Sequence, residues 1–238
     1  MQAGISNTEI IQILPELIIA LAAMLFLLIG AFRGNASTMM LCRAVMVVYA
    51  LTALYLLAPS WTGEPVLNGL FVLDGFAGFI KLVIVIGMLA VMGLSTGYLR
   101  EEGMARFEYP ILMLTATLGM MMMVSAHDLL ALYLGLELQS LSLYIMTAMK
   151  RGSLRSAEAG MKYFVLGAIS SGMVLFGASL IYGYTGTTNY AGIAEAIAAA
   201  DQLFIGVLIG LVFMLAGLAF KISAVPFHMW TPAVYEGA

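Results

Sequence analysis

Seven apolar segments, each close to the ~20 residues that carry a helix across about 30 Å of hydrocarbon, leave this chain few ways to fold. They run roughly 10–32, 42–58, 72–99, 109–125, 128–149, 157–183 and 203–232. With 63% hydrophobic and 10% charged residues, the chain has too little polar surface to coat a soluble core. The expected fold is therefore all-α, a polytopic transmembrane helix bundle of about seven spans forming a single domain over residues 1–238. The first segment lacks a basic leader, begins with Glu9 and Glu16, and is too long for a signal peptide, so it is expected to remain as a helix.

Charge orients the bundle, because Lys and Arg accumulate on the cytoplasmic side of short loops. Arg33 and Arg43 fall between spans one and two, Arg100 and Arg106 between three and four, and Lys150, Arg151 and Arg155 between five and six. The alternate loops, 59–71, 126–127 and 184–202, carry neither residue type. This pattern puts the N-terminus outside. A net charge of −3 offers no basic face for nucleic acid, and Cys42, alone, makes neither an intrachain disulfide nor an iron–sulfur ligand set. Cys42 and the 19 methionines read as packing.

Spacing also predicts a broken seventh span. As one straight helix, Leu203 to Thr231 would run about 43 Å, more than the membrane needs, and Pro226 and Pro232 interrupt it. A proline inside a helix removes a backbone bond, and unpaired backbone survives at membrane depth only where it faces protein or water. A discontinuous helix beside a polar cavity follows; the plainer alternative is a helix ending near Ile222 with an interfacial loop. In span six, the small residues Gly167, Ala168, Ser170, Ser171 and Gly172 mark a face that lets another helix come close.

The remaining basic residues, Lys81, Lys162 and Lys221, lie inside apolar segments together with Glu137. A lone charge at bilayer depth costs roughly 2.5 kcal/mol or more, so such residues usually serve a function, and proton movement suits them best. Glu137 stands about 13 Å from the outer end of span five, too deep to snorkel. Lys221 lies directly before the break, where burial favours the neutral amine and a carboxylate would favour the ammonium. Such a pair at about 4 Å is worth roughly 4 kcal/mol at an effective dielectric near 20. His228, just past the break, titrates nearest neutral pH and suits a relay. Lys162 either snorkels or pairs with Glu158 at i,i+4. Lys81, one or two turns from the end of span three near Asp74, reads as an interfacial anchor.

The stretch Ser125-Ala126-His127-Asp128-Leu129-Leu130 through Leu136-Glu137-Leu138-Gln139-Ser140-Leu141-Ser142-Leu143-Tyr144 resembles the subunit N family of bacterial NADH:quinone oxidoreductase, respiratory complex I. Blocks 157–164, 182–190 and 220–232, the last reading Phe-Lys-Ile-Ser-Ala-Val-Pro-Phe-His-Met-Trp-Thr-Pro, are similar to the family's sixth span, the loop after it and its broken seventh span. The resemblance implies an antiporter-like, proton-translocating subunit in the bacterial cytoplasmic membrane, assembled with other membrane subunits of the complex. It assigns Glu137 to tuning, Lys162 and Lys221 to proton passage, and His228 to the position after the break. It implies no cofactor in this chain, with FMN, iron–sulfur clusters and quinone held elsewhere in the complex.

Two departures stand out. Ala233 replaces the family's aspartate, removing any cap or ion pair made there. Family members also carry a second, inverted helical unit and are about twice as long, so the chain reads as the N-terminal portion of such a subunit. Related complex I subunits of the L and M type and Mrp-type cation/proton antiporters share the constellation and form the alternative reading. A structural scaffold whose buried charges merely pair is the third.

Overall fold

A computed structural model describes residues 7–57, 61, 63–200 and 205–238. The end of expected span two at 58 and the start of span seven at 203–204 lie outside these residues. The described residues fall into two compact units. One comprises the chain up to Ala126 together with Leu134–Ser142, and the other His127–Tyr133 with Leu143–Ala238.

The first unit is built from α1 (Asn7–Arg33), α2 (Thr38–Leu56), α3 (Gly75–Glu101) and α4 (Glu108–Ser125), with the middle of α5 (Leu129–Thr147). A 3-10 turn over Gly34–Ser37 links α1 to α2, with Gly34 in the left-handed region at φ 63°. Pro15 interrupts the α1 backbone ladder and frees the carbonyl of Ile11, four residues earlier. The Tyr55 hydroxyl of α2 donates to that carbonyl at 2.8 Å, so the proline is accommodated by a neighbouring helix. Tyr49 and Thr117, both fully buried, hydrogen-bond at 2.7 Å and tie α2 to α4.

Span three starts later than the apolar run suggests. Val72, expected within it, instead joins Phe71 in strand β2 (Phe71–Val72), paired antiparallel with β1 (Pro65–Val66). The helix begins only after Asp74, whose carboxylate accepts from the Ala77 N–H at 2.7 Å as an N-cap. Leu67 and Asn68, both at positive φ, turn the hairpin.

The second unit packs α6 (Leu154–Thr185) against α8 (Ile205–Lys221), α7 (Tyr190–Ala198) and α9 (Thr231–Gly237), with both ends of α5. The predicted close face of span six is present in part: Gly167, Ser170 and Ser171 are buried along α6 together with Val174 and Gly177, whereas Ala168 and Gly172 are exposed, because the buried stripe follows the helical period and not the run of small residues. A Cβ on Gly177 would lie 2.5 Å from the Gly210 carbonyl oxygen of α8, so the two backbones are in direct contact there. The stretch 184–202, expected as a loop, instead contains α7, capped by Asn189 and docked through Tyr190, Ile193 and Ile197 onto a core of Leu129, Ala178, Ile181, Val207 and Met214. The seventh span is discontinuous as expected: α8 stops at Lys221, residues 222–230 are non-helical, and α9 follows.

Among the described residues, five continuous helical stretches are long and apolar enough to cross a membrane: Glu9–Leu56, which takes in most of α1 and all of α2, then Gly75–Glu101, Glu108–Ser125, Leu129–Thr147 and Leu154–Thr185, with Ile205–Lys221 a shorter apolar helix.

Candidate functional site

Lys221 is the last residue of α8, half-buried, at the point where the helix unwinds. Its Nζ donates to the Tyr144 hydroxyl at 3.1 Å and stands 5.6 Å from the centroid of the same ring. Tyr144 is 5% exposed and packs edge-on against Tyr163, with centroids 4.6 Å apart, and against Phe164 at 5.8 Å. Gly167, one turn further along α6, makes room for the phenol: any Cβ there would collide with the Tyr144 hydroxyl. A ring face and a phenol oxygen each stabilise an ammonium held beside them.

The break itself is held by the same aromatic group. Trp230 stacks on Tyr163 at 4.8 Å and on Phe220 at 5.5 Å, and its indole N–H donates to the Phe220 carbonyl at 3.3 Å. The backbone N–H groups of Ile222, Ser223 and Ala224 reach back to Leu218, Phe220 and Ala219, and Thr231 donates to the Ser223 hydroxyl at 2.8 Å. The interruption therefore has its backbone partners inside the second unit, as non-helical chain at membrane depth requires. Tyr163 and Trp230 also line a cavity of about 200 Å³ with Leu143, Thr147, Val234, Tyr235 and Ala238, room for several water molecules.

The other expected residues sit differently. Lys162 is exposed and its Nζ pairs with Glu158 at 2.6 Å, so the i,i+4 pair is the arrangement found. His228 is exposed within the non-helical segment. Glu137 is half-buried near the middle of α5, in the first unit, where Ser140 is buried and Ser142 shares a 2.8 Å hydrogen bond with Thr115 of α4.

Lys81 corrects the sequence reading. It is fully buried, not an interfacial anchor, and its Nζ lies 2.6 Å from Oε1 of Glu16, which is itself 7% exposed. Distance from a helix end measures depth but not which way a side chain faces, and its partner is 65 residues away on another helix. Tyr144 is the second residue that sequence reasoning left without a role. The available signal was its place at the end of the Ser-Leu-Ser-Leu-Tyr run, seven residues, or two helical turns, after Glu137 on the same helix.

At the N-terminal end of α5, Asp128 caps the helix by accepting from the Leu130 N–H at 2.7 Å and takes a 2.5 Å hydrogen bond from Thr188. Tyr190 follows on α7, its ring edge-on to His127 at 5.8 Å. Burial, and then the Asp128 carboxylate, push its phenol up to about 12.

Residues 126–238 match the family described as NADH:quinone oxidoreductase/Mrp antiporter, transmembrane. Lys221 and the interrupted helix lie within this match, which is to an antiporter-like membrane family. The chain is 51% identical over 239 residues to NADH-quinone oxidoreductase subunit N of Parvibaculum lavamentivorans, covering 100% of this chain and 49% of that protein. Among solved structures, respiratory complex I from Thermus thermophilus superposes with a TM-score of 0.75 at 33% identity, covering 94% of this chain and 47% of the matched chain. The Mrp complex from Dietzia sp. shares the fold, with a TM-score of 0.75 at 24% identity over 97% of this chain and 44% of the other. The chain spans about half the length of the curated relatives it matches.

Proposed function

We propose that this chain works as a proton-translocating membrane subunit of a respiratory NADH:quinone oxidoreductase, assembled with other membrane subunits in the bacterial cytoplasmic membrane, its N-terminus outward. The observation that carries the reading is Lys221, held on a buried tyrosine hydroxyl at the end of an interrupted helix. A phenol both donates and accepts, so it can hold the lysine in either protonation state. A charge kept at this depth is expensive unless its protonation is used. In this reading Lys221 and Lys162 carry protons, Glu137 tunes their charge, and His228 serves beyond the break. Electron transfer through FMN, iron–sulfur clusters and quinone belongs to other parts of the complex, and this subunit contributes no redox centre.

The test is NADH-driven proton uptake in vesicles holding the assembled complex with the full-length subunit. Lys221→Ala and Glu137→Ala should each lower proton pumping and the quinone reduction coupled to it, together and by about tenfold or more. Wild-type pumping in both variants would remove the assigned roles. Sodium-dependent proton exchange in the absence of NADH would select the Mrp-type reading instead.

A further inference from the structure

The Glu16–Lys81 pair lies outside the constellation just described, and its surroundings are unusual for a structural ion pair. Both side chains are buried, and apart from their mutual 2.6 Å contact neither Glu16 oxygen nor the Lys81 nitrogen has a hydrogen-bond partner among the described residues. A buried pair kept for rigidity needs its remaining lone pairs and protons satisfied, and well-packed apolar residues of similar volume would hold the helices as well. The same unit ties α2 to α4 with a neutral bond, Tyr49 to Thr117, at equal burial. Charges at the α1–α3 contact are therefore not needed as a fastener. What a carboxylate and an ammonium at 2.6 Å offer, and a Tyr–Thr pair does not, is a proton that passes from Nζ to Oε1, leaving a neutral amine and a neutral acid.

A route to that proton is built into α1. Glu9, Gln12 and Glu16 are spaced i, i+3, i+7 and so form one polar stripe from the start of the helix to the pair. Gln12 is 7% exposed, and the Glu9 carboxylate accepts from the Leu67 N–H of the hairpin turn at 3.2 Å. The hairpin covers the pair from that end, with the Phe71 ring 5.2 Å from Lys81 Nζ. Of the other ionisable groups packed around the pair, Asp74 caps α3 two turns before Lys81, and Tyr55 of α2 lies within reach of the Glu16 charge while its hydroxyl donates to the Ile11 carbonyl. Further along α2, the hydroxyl of Tyr49 is taken by Thr117. The ionisable groups of α4, Glu108 and Tyr109, lie in its first turn, at the opposite end of the bundle from the starts of α1 and α3.

We propose that Glu16 and Lys81 form a second intramembrane proton-exchange site, which takes up and returns a proton along the Glu9–Gln12 face of α1. In the full-length subunit within the assembled complex, the infrared band of a protonated carboxyl group, assigned by its loss in Glu16→Gln, should grow on acidification between about pH 9 and pH 5. It should also shift on transfer to heavy water, with Glu9→Gln slowing that shift by about tenfold or more while assembly is unchanged. If Glu16→Gln fails to assemble, the Glu16→Met plus Lys81→Met double variant, which removes both charges together, provides the comparison spectrum. Identical titrations in the wild type and the charge-free variant, or a heavy-water shift indifferent to Glu9, would overturn the proposal and leave a static pair.

Discussion

At the level of single residues, position along an apolar run was readable and partnership was not. Lys221 and Glu137 stand out in the sequence because each lies far along an apolar run, and depth is a matter of counting at 1.5 Å per residue. Partners are set by side-chain direction and by helices distant in sequence, which is why Lys81 read as an anchor and Tyr144 as part of a motif only. Tyr144 now carries a direct prediction. Tyr144→Phe keeps the ring that packs on Tyr163 and Phe164 but removes the hydroxyl that accepts from Lys221. A hydrogen bond to a charged group is worth about 1.5–3 kcal/mol, so proton pumping should fall on the order of tenfold or more with assembly preserved. Pumping at the wild-type rate, measured in vesicles beside Lys221→Ala, would mean that the ring alone sets the environment of the amine.

Elements show where apolar patterning misleads. Helix α3 begins at Gly75 and not at 72, because Phe71 and Val72 are as apolar as a span yet pair with β1, and Asp74 supplies the cap that hydropathy does not register. Helix α6 begins at Leu154, before the expected 157, since the Ser153 hydroxyl accepts from the Ser156 N–H. The nine residues of α7 were hidden because a short amphipathic helix between two spans has neither the length nor the charge to announce itself. That helix has its own pH signature. The Tyr190 phenol has an ordinary value of 10.0 and is raised to about 12 in the folded protein, so the folded state holds its proton more tightly than the unfolded one. The resulting stabilisation of α7 is complete below the ordinary value and is lost as pH climbs from 10 toward 12. Hydrogen exchange of the α7 amides should accordingly accelerate over that interval, and Tyr190→Phe should flatten the dependence. An acceleration that survives the substitution would assign it to another group.

For the molecule as a whole, seven Lys and Arg residues gather at alternate connections or in the helix ends that flank them, and the connections between them have none. The bias is strong because it is carried entirely by short loops, where positive charge controls insertion and acidic residues contribute little. By this bias the turn at Lys150–Ser153, after α5, is expected on the cytoplasmic side and the hairpin at Leu67–Asn68, before α3, outside. The chain provides its own clean background for a test, since Cys42, the single cysteine in this sequence, is fully buried. A membrane-impermeant maleimide added to intact cells should label Asn68→Cys and leave Arg151→Cys untouched, and inverted membrane vesicles should reverse the two. Under the proposed exchange at Glu16 and Lys81, the side from which protons enter follows from this result, because the stripe from Glu9 to Glu16 begins beside the hairpin turn. Labelling of Asn68→Cys from the cytoplasmic face would have protons reach that stripe from the cytoplasm instead of from outside.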